Sequence, residues 1–371
     1  MLRILHAGDA HLASPFALAD ANRAAALRYA LRASFDALCR TAAESHADLV
    51  LLAGDIYEAE YLSRDDADMI LAGLSSIPCP VVVAPGNHDP AAESSLWLRD
   101  DLPANVFVFR EETVAKFSFD ELGADVYGYA MTGDAMERCP LDGFTVPDDG
   151  RIHLICAHAD LGASRSVYAP ITAEAVLRTG ADYAALGHIH NPAEPVFAPH
   201  GRAAVAESGC LMGRAPDEPG DKGALLVTVG DGTVQIEKLI LGALAFREAD
   251  LPVSGMTAAW QVEKALRALL EEKGYTDRDL VRIRLTGSVS PELFFSTEAL
   301  ASAETGCRSL EIVDATTPAP SASLENDPAV RGIFYRLLKE RLTSPDEKER
   351  ETAERALRYG LLALGGERPA D

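Results

Sequence analysis

Side chains that could bind a metal or move a proton follow five apolar runs of this 371-residue sequence. In each case the polar residues come where a run rich in Val, Ile, Leu and Ala stops, as in "VVVAPGNHDP". The residues are Asp9 and His11, Asp55, Asn87 and His88, His158, and His188 and His190. Without sulfur, this oxygen and imidazole set suits Mn²⁺, Fe or Zn²⁺ and disfavours copper(I) or an iron–sulfur cluster.

A single histidine of this set is most simply explained as a hydrogen-bonded core residue, but the joint pattern predicts a metal site. The ligands other than His88 are too many for one ion with an open position and suit two ions. Asp55 is the natural carboxylate for both to share. Two neighbouring ions clamp a phosphate and activate water for in-line attack on phosphorus. An imidazole can supply the leaving oxygen with a proton near neutral pH.

The apolar runs predict five strands, over residues 3–9, 48–55, 80–89, 152–160 and 182–190. Helical spacing of Leu27, Leu31, Phe35 and Leu38 predicts a helix over 22–46, and a second helix is expected over 63–74. Strands that alternate with helices indicate an α/β layered domain with parallel strands, whose carboxyl ends gather functional residues. Residues two apart share a face of a strand, so Asp9 with His11 and His188 with His190 converge if the extended geometry continues.

The pattern of predicted elements changes in the later part of the chain. Residues 223–241 predict a hairpin joined by Gly230-Asp231-Gly232. The predicted domains are 1–250, the domain with the strand-end residues; 251–318, a small α+β domain; and 319–371, a linker with a helical hairpin. The apolar faces of that hairpin could pack on their own domain or meet a partner; the residues are Val330, Phe334, Leu337, Leu338, Leu357, Leu361 and Leu364.

The ordered motifs D-x-H, G-D, G-N-H-D, a later histidine and G-H-x-H together resemble the calcineurin-like metallophosphoesterase superfamily over roughly the first 240 residues. The resemblance implies a four-layer sandwich, two packed mixed β-sheets flanked by helices, followed by a small α+β capping domain and a C-terminal helical hairpin. It implies one ion on Asp9, His11, Asp55 and His190, and another on Asp55, Asn87, His158 and His188. It also implies that His88 protonates the leaving group and that Glu58 supports this chemistry by orienting His88; an exposed loop glutamate is the alternative. Asp89 is expected to fix its loop by hydrogen bonds.

The stretches "ILHAGDAHLASPF", "ITAEAVLRTGADYAALGHIHNP" and "ESGCLMGRAPDEPGDKG" resemble the DNA-repair nuclease branch of SbcD-type subunits, and most closely its YhaO-like group. Ala10 and Ala13 depart from that pattern, but neither is a proposed ligand. The resemblance implies an exonuclease subunit that hydrolyses DNA with two divalent ions, Mn²⁺ before Fe or Zn²⁺. It also implies an SMC-like coiled-coil ATPase partner on a separate chain, since no G-x-x-x-x-G-K sequence occurs. The helix over 22–46 could serve a homodimer or simply pack on the sheet.

Composition leaves an alternative open. The net charge of −23 is unusual for a protein that binds nucleic acid, although bound metals would add local positive charge. A small-molecule phosphatase or phosphodiesterase with the same two-metal site would suit that charge better. A degenerate scaffold should lack ligands, and none is missing. Scattered cysteines, no apolar run of about 18 residues and no signal-peptide pattern predict a cytoplasmic protein that does not enter membranes.

Overall fold

The computed structural model describes residues 1–17, 19–162, 165–290, 293–303, 305–319 and 321–364. It divides into two compact units, Met1–Ala245 and Phe246–Asp371. The predicted boundary after residue 250 falls inside a strand, and the division of the later residues into a capping domain and a hairpin stays a prediction. Among the described residues, no helix is both long and apolar enough to cross a membrane.

The first unit contains two six-stranded mixed sheets. Its strands in chain order are β1 (Leu2–Ala7), β2 (Leu49–Leu52), β3 (Val81–Val83), β4 (Val106–Val108), β5 (Ala115–Phe119), β6 (Ala124–Gly128), β7 (Ile152–His158), β8 (Tyr183–Gly187), β9 (Val196–Phe197), β10 (Ala204–Glu207), β11 (Gly223–Gly230) and β12 (Thr233–Ile240). The first sheet has the order β12-β11-β1-β2-β3-β4 and the second β5-β6-β7-β8-β10-β9. The five predicted strands therefore divide between the sheets, with β1, β2 and β3 in one and β7 and β8 in the other.

The two sheets pack face to face. Leu51 and Val82 of the first sheet share one buried cluster with Leu154 and Ala185 of the second. The next residue along β7, Ile155, points to the opposite face and packs in a different cluster, which includes Val176 of the helix at residues 173–178. Alternate side chains of a strand point to opposite faces, so these strands are apolar on both. The expected fold of two packed mixed sheets flanked by helices is confirmed.

The helices of this unit are α1 (Ala21–Glu44), α2 (Arg64–Ser75) and α3 (Ala173–Arg178). The predicted stripe of α1, from Leu27 to Leu38, is buried, and the Asp20 side chain caps the helix by accepting hydrogen bonds from the N–H groups of Asn22 and Arg23. The predicted hairpin is confirmed as β11 and β12, which pair antiparallel around Asp231-Gly232. Both loop residues have positive φ, 53° and 68°, as a tight hairpin turn requires.

The second unit has a three-stranded sheet, β13-β14-β15, and its own core. Its elements in chain order are β13 (Ala245–Pro252), α4 (Ala259–Lys273), β14 (Asp279–Val289), α5 (Thr297–Ala301), β15 (Ser309–Pro318), α6 (Ala322–Asn326), α7 (Val330–Lys339) and α8 (Glu347–Leu364). Val262 and Leu266 of α4 pack on Ile283 of β14. The strand β13 has no counterpart among the sequence predictions, because its charged residues interrupt the apolar alternation.

Candidate metal centre

The predicted ligands follow the ends of the strands, and several of them have an unusual backbone conformation. β1 ends at Ala7 and β8 at Gly187, so the extended geometry does not continue through Asp9, His11 or His188. These residues have φ of 48°, 45° and 115°, and Asp55 has 54°. The condition on which each pair was expected to share one face of a strand is therefore not met. Left-handed turns aim the side chains instead, and such costly conformations cluster at functional sites.

One group of ligand atoms gathers around the imidazoles of His11 and His190. Their Nε2 atoms lie 3.1 Å apart. Oδ1 of Asp9 lies 3.8 Å from Nε2 of His190, and Oδ2 of Asp55 lies 3.8 Å from Nε2 of His11. The Nδ1 atoms point away, to Oε1 of Glu58 at 2.8 Å and Oε1 of Glu218 at 2.6 Å. Each ring is thus held by a carboxylate behind it.

A second group surrounds Nε2 of His158. Oδ1 of Asn87 lies 3.1 Å away, Oδ2 of Asp55 3.3 Å and Nδ1 of His188 3.3 Å. Nδ1 of His158 lies 2.9 Å from the carbonyl oxygen of Ala53. Because a carbonyl only accepts, Nδ1 carries a proton, and Nε2 is the nitrogen that faces Asp55, Asn87 and His188.

Both groups fit a cation. In each, oxygen and nitrogen ligand atoms lie 3.1–3.8 Å apart, while Nδ1 of His11, His190 and His158 faces a partner on the far side. Oδ2 of Asp55 belongs to both groups. Burial opposes protonation of His158, but the Asp55 carboxylate outweighs it and raises the pKa of His158 to about 10. The same negative charge of Asp55 would attract a metal ion.

His88 lies beside the first of these groups, with its ring centroid 4.9 Å from that of His11. Its Nδ1 lies 2.8 Å from Oε2 of Glu58, and its backbone N–H donates to Oδ1 of Asp55 at 2.8 Å. The side chain is 45% exposed, whereas His11 and His158 are buried. The hydrogen bond to Glu58 raises the pKa of His88, which favours the protonated ring. Glu58 is not an exposed loop glutamate, since its side chain is only 12% exposed.

Asp89 organises the loop that carries Asn87 and His88. Its buried carboxylate accepts hydrogen bonds from the backbone N–H groups of Asp55, Ile56 and Gly86. The indole N–H of Trp97 donates a fourth bond, at 3.1 Å. These bonds tie the end of β3 to the end of β2, so they fix Asp55 relative to its neighbours. Trp97 lies outside every motif of the sequence.

Two glycines allow the strand ends to approach closely. A Cβ on Gly54 would lie 2.5 Å from Nδ1 of His158, and the residue has φ of 86°. A Cβ on Gly86 would lie 2.3 Å from Oδ1 of Asp55. Only glycine fits either place without displacing a predicted ligand.

Sequence reasoning missed several residues around the site. Arg214 and Glu218 lie in the stretch "ESGCLMGRAPDEPGDKG", which carried resemblance but no assigned role. Tyr168 packs on the ring of His188 with centroids 4.9 Å apart, and Asp160 lies 3.8 Å from Nε2 of the same ring. Asp160 could have been noticed two residues after His158, whereas nothing local marks Tyr168.

Comparisons with known proteins show which family this chain resembles. A model of the calcineurin-like phosphoesterase family matches residues 2–192. The chain is 28% identical over 292 residues to the uncharacterized metallophosphoesterase YhaO of Bacillus subtilis, covering 74% of this chain and 69% of that protein. It is 27% identical over 233 residues to the DNA double-strand break repair protein Mre11 of Aeropyrum pernix, covering 54% of this chain and 51% of that protein.

Solved structures with a similar chain include TT1561 of Thermus thermophilus and a dimetal phosphatase from Danio rerio. The first has a TM-score of 0.38 at 12% identity and covers 64% of this chain and 98% of its own. The second has a TM-score of 0.36 at 12% identity and covers 62% and 93%.

Proposed function

The chain belongs to the calcineurin-like phosphoesterase family, and from this we propose that it hydrolyses phosphodiester bonds of DNA as an exonuclease subunit. The observation that carries the proposal is the pair of lone-pair clusters that share Asp55. Asp9, His11, Asp55 and His190 would hold one divalent ion. Asp55, Asn87, His158 and His188 would hold the other, with Mn²⁺ before Fe or Zn²⁺. Bound there, the ions supply Lewis acidity and a nucleophile at neutral pH.

His88 is proposed to be the acid. Glu58 contacts its Nδ1 at 2.8 Å, which leaves Nε2 as the nitrogen that can give a proton to the leaving oxygen. Its partial exposure gives a substrate access, and the raised pKa favours the protonated ring that an acid requires. The hydrogen bond from the backbone N–H of His88 to Asp55 holds the His88 backbone next to the metal groups.

DNA as the substrate is supported by the similarity to Mre11, whose name describes double-strand break repair. The net charge of −23 favours a second candidate, a phosphodiesterase or phosphatase of small molecules with the same site. Both candidates use the same metal-assisted hydrolysis of a phosphate ester. They differ in the substrate that the surface around the metal groups would bind.

An SMC-like ATPase partner and a cytoplasmic location are also proposed, as for the nuclease branch. The inner side chains of the C-terminal helices, among them Leu357 and Leu361, are buried in their own unit. Val330 and Leu337 of α7 are 63% and 72% exposed, and Ile333 between them is 49% exposed. This stripe supports a partner surface. A homodimer through α1 stays a proposal as well.

The test is hydrolysis by the Mn²⁺-loaded protein of end-labelled linear duplex DNA, single-stranded DNA and a nitrophenyl phosphodiester. The assay is repeated with the SMC-like ATPase, if its gene lies next to this one. We expect release of nucleotides from DNA ends. Cleavage of the nitrophenyl ester with DNA left intact, with and without the ATPase, would favour the second candidate. No hydrolysis of any substrate would reject both.

A further inference from the structure

Arg214 lies between the carboxylates of Glu58 and Glu218, each of which contacts a histidine of the first metal group. One terminal nitrogen of its guanidinium donates to Oε1 of Glu58 at 3.2 Å, and the other donates to Oε1 of Glu218 at 3.1 Å. The backbone N–H of Arg214 also donates to Oε2 of Glu218, at 2.7 Å. The side chain is 21% exposed, so these ion pairs are largely shielded from water.

Each of these carboxylates holds histidines of the site. Glu58 accepts from Nδ1 of His11 and contacts Nδ1 of His88, each at 2.8 Å. Glu218 accepts from Nδ1 of His190 at 2.6 Å. A continuous chain of hydrogen bonds and ion pairs therefore runs from His11 and His88 through Glu58, Arg214 and Glu218 to His190.

The contacts of His190 also select its tautomer. Arg214 lies 3.2 Å from Nδ1, farther than Glu218. Because the nearer carboxylate accepts a hydrogen bond from Nδ1, Nδ1 carries the proton. Nε2 is left with its lone pair toward Asp9 and His11. Because Arg214 binds Glu218 at both its backbone and its side chain, it keeps that carboxylate in the accepting position.

We propose that Arg214 is a positioning residue which couples His11, His88 and His190 through Glu58 and Glu218, and thereby sets the affinity of the ion on His11 and His190. The other group shares Asp55, but the ring of its His158 is held by the Ala53 carbonyl and not by Glu58 or Glu218, so Arg214 acts chiefly on the first group. The role is one of alignment, because both terminal nitrogens of Arg214 already face carboxylates. The inference rests on the metal site of the proposed function.

The test is the binding of Mn²⁺, measured by calorimetry and equilibrium dialysis without substrate. Arg214→Gln should weaken one of the two sites about 10–100-fold, the usual effect of losing such an outer partner, and leave the other unchanged. Arg214→Lys should lose less, since one ammonium can hold one carboxylate. Arg138→Gln is the matched control, because Arg138 is exposed in the same unit.

Two double variants identify which site is affected. Arg214→Gln combined with Asn87→Ala should weaken both sites. Arg214→Gln combined with His190→Ala should bind no worse than His190→Ala alone, because that ligand group is already broken. The Lys variant keeps the test available should the Gln variant fail to fold.

The outcomes separate the inference from the function on which it rests. Wild-type binding of two ions with unchanged affinities in folded Arg214→Gln or Arg214→Lys would overturn the inference alone. Equal weakening of both sites would overturn it too, since the coupling would not be selective. Absence of Mn²⁺ binding by the wild type would overturn the metal site itself.

Discussion

The Nε2 atoms of His11 and His190 lie 3.1 Å apart, although each ring directs its Nδ1 to a different carboxylate. Two lone pairs thus meet without a proton to join them. Holding them together is costly without a cation, and Asp55 and Asp9 add negative charge at the same place. The site is therefore built to gain stability when an ion binds.

Metal removal should consequently destabilise the protein. A ligand at about 100 times its Kd adds about 2.7 kcal/mol to folding stability for one site. We expect EDTA to lower Tm measurably and Mn²⁺ to restore it, as followed by circular dichroism. An unchanged Tm in both conditions would contradict the interpretation of the clusters as metal ligands.

Asp55→Ala should weaken both metal sites together, because one carboxylate oxygen belongs to both lone-pair groups. Metal content per chain, measured after dialysis in low Mn²⁺, should fall from two toward zero. Asn87→Ala, which touches only the His158 group, should lose one ion. Loss of a single ion from Asp55→Ala would show that the carboxylate does not serve both.

His88→Asn should abolish turnover while leaving metal content near normal. Asparagine has no proton that titrates near neutral pH, and removal of a general acid typically lowers kcat about 10²–10⁴-fold. His200→Asn is the matched control, since His200 lies on an exposed turn of the same unit. Loss of both metals from His88→Asn would assign it a ligand role instead.

Asp89→Asn should destabilise the fold as well as the site. The amide would place an NH₂ group where N–H donors now point, leaving buried donors unpaired at roughly 3 kcal/mol or more in total. Urea unfolding of the metal-free proteins measures the change. Trp97→Phe removes only the indole donor and should cost about 1–3 kcal/mol. A larger loss in Trp97→Phe than in Asp89→Asn would contradict this assignment.

His6 should make stability fall in mild acid. It is buried between the hydroxyl of Tyr183 and the carbonyl of Leu186, and burial lowers its pKa from 6.5 to about 3. Its neutral form is favoured by folding, so the contribution is complete above about pH 6.5 and is lost as the pH falls toward 3. The loss by pH 5 is about 2 kcal/mol.

His6→Gln can keep both hydrogen bonds but does not titrate. Unfolding free energies of the metal-free proteins at pH 7 and pH 5 should therefore differ less for His6→Gln than for the wild type. Parallel pH profiles for the two proteins would show that His6 does not contribute to acid sensitivity.

The ligand types and most of the elements that carry them can be predicted from the amino-acid sequence. Apolar runs that stop at Asp, Asn and His are local signals, and so is the three- and four-residue spacing from Leu27 to Leu38 in α1. Periodicity did not reveal β4, β5, β6 or β10, which are short or carry few apolar residues in alternation. It also did not assign the strands to their two sheets, because pairing partners are not encoded locally.

How the ligands meet depends on contacts between segments that are distant in the chain. His11 and His190 are 179 residues apart in the chain, and left-handed backbone at Asp9, His11 and Asp55 redirects side chains that an extended strand would have aimed elsewhere. The outer partners were equally hidden: Arg214 reaches Glu58 across 156 residues. A motif specifies which atoms are available, whereas their convergence depends on sheet packing and turn geometry that bring distant segments together.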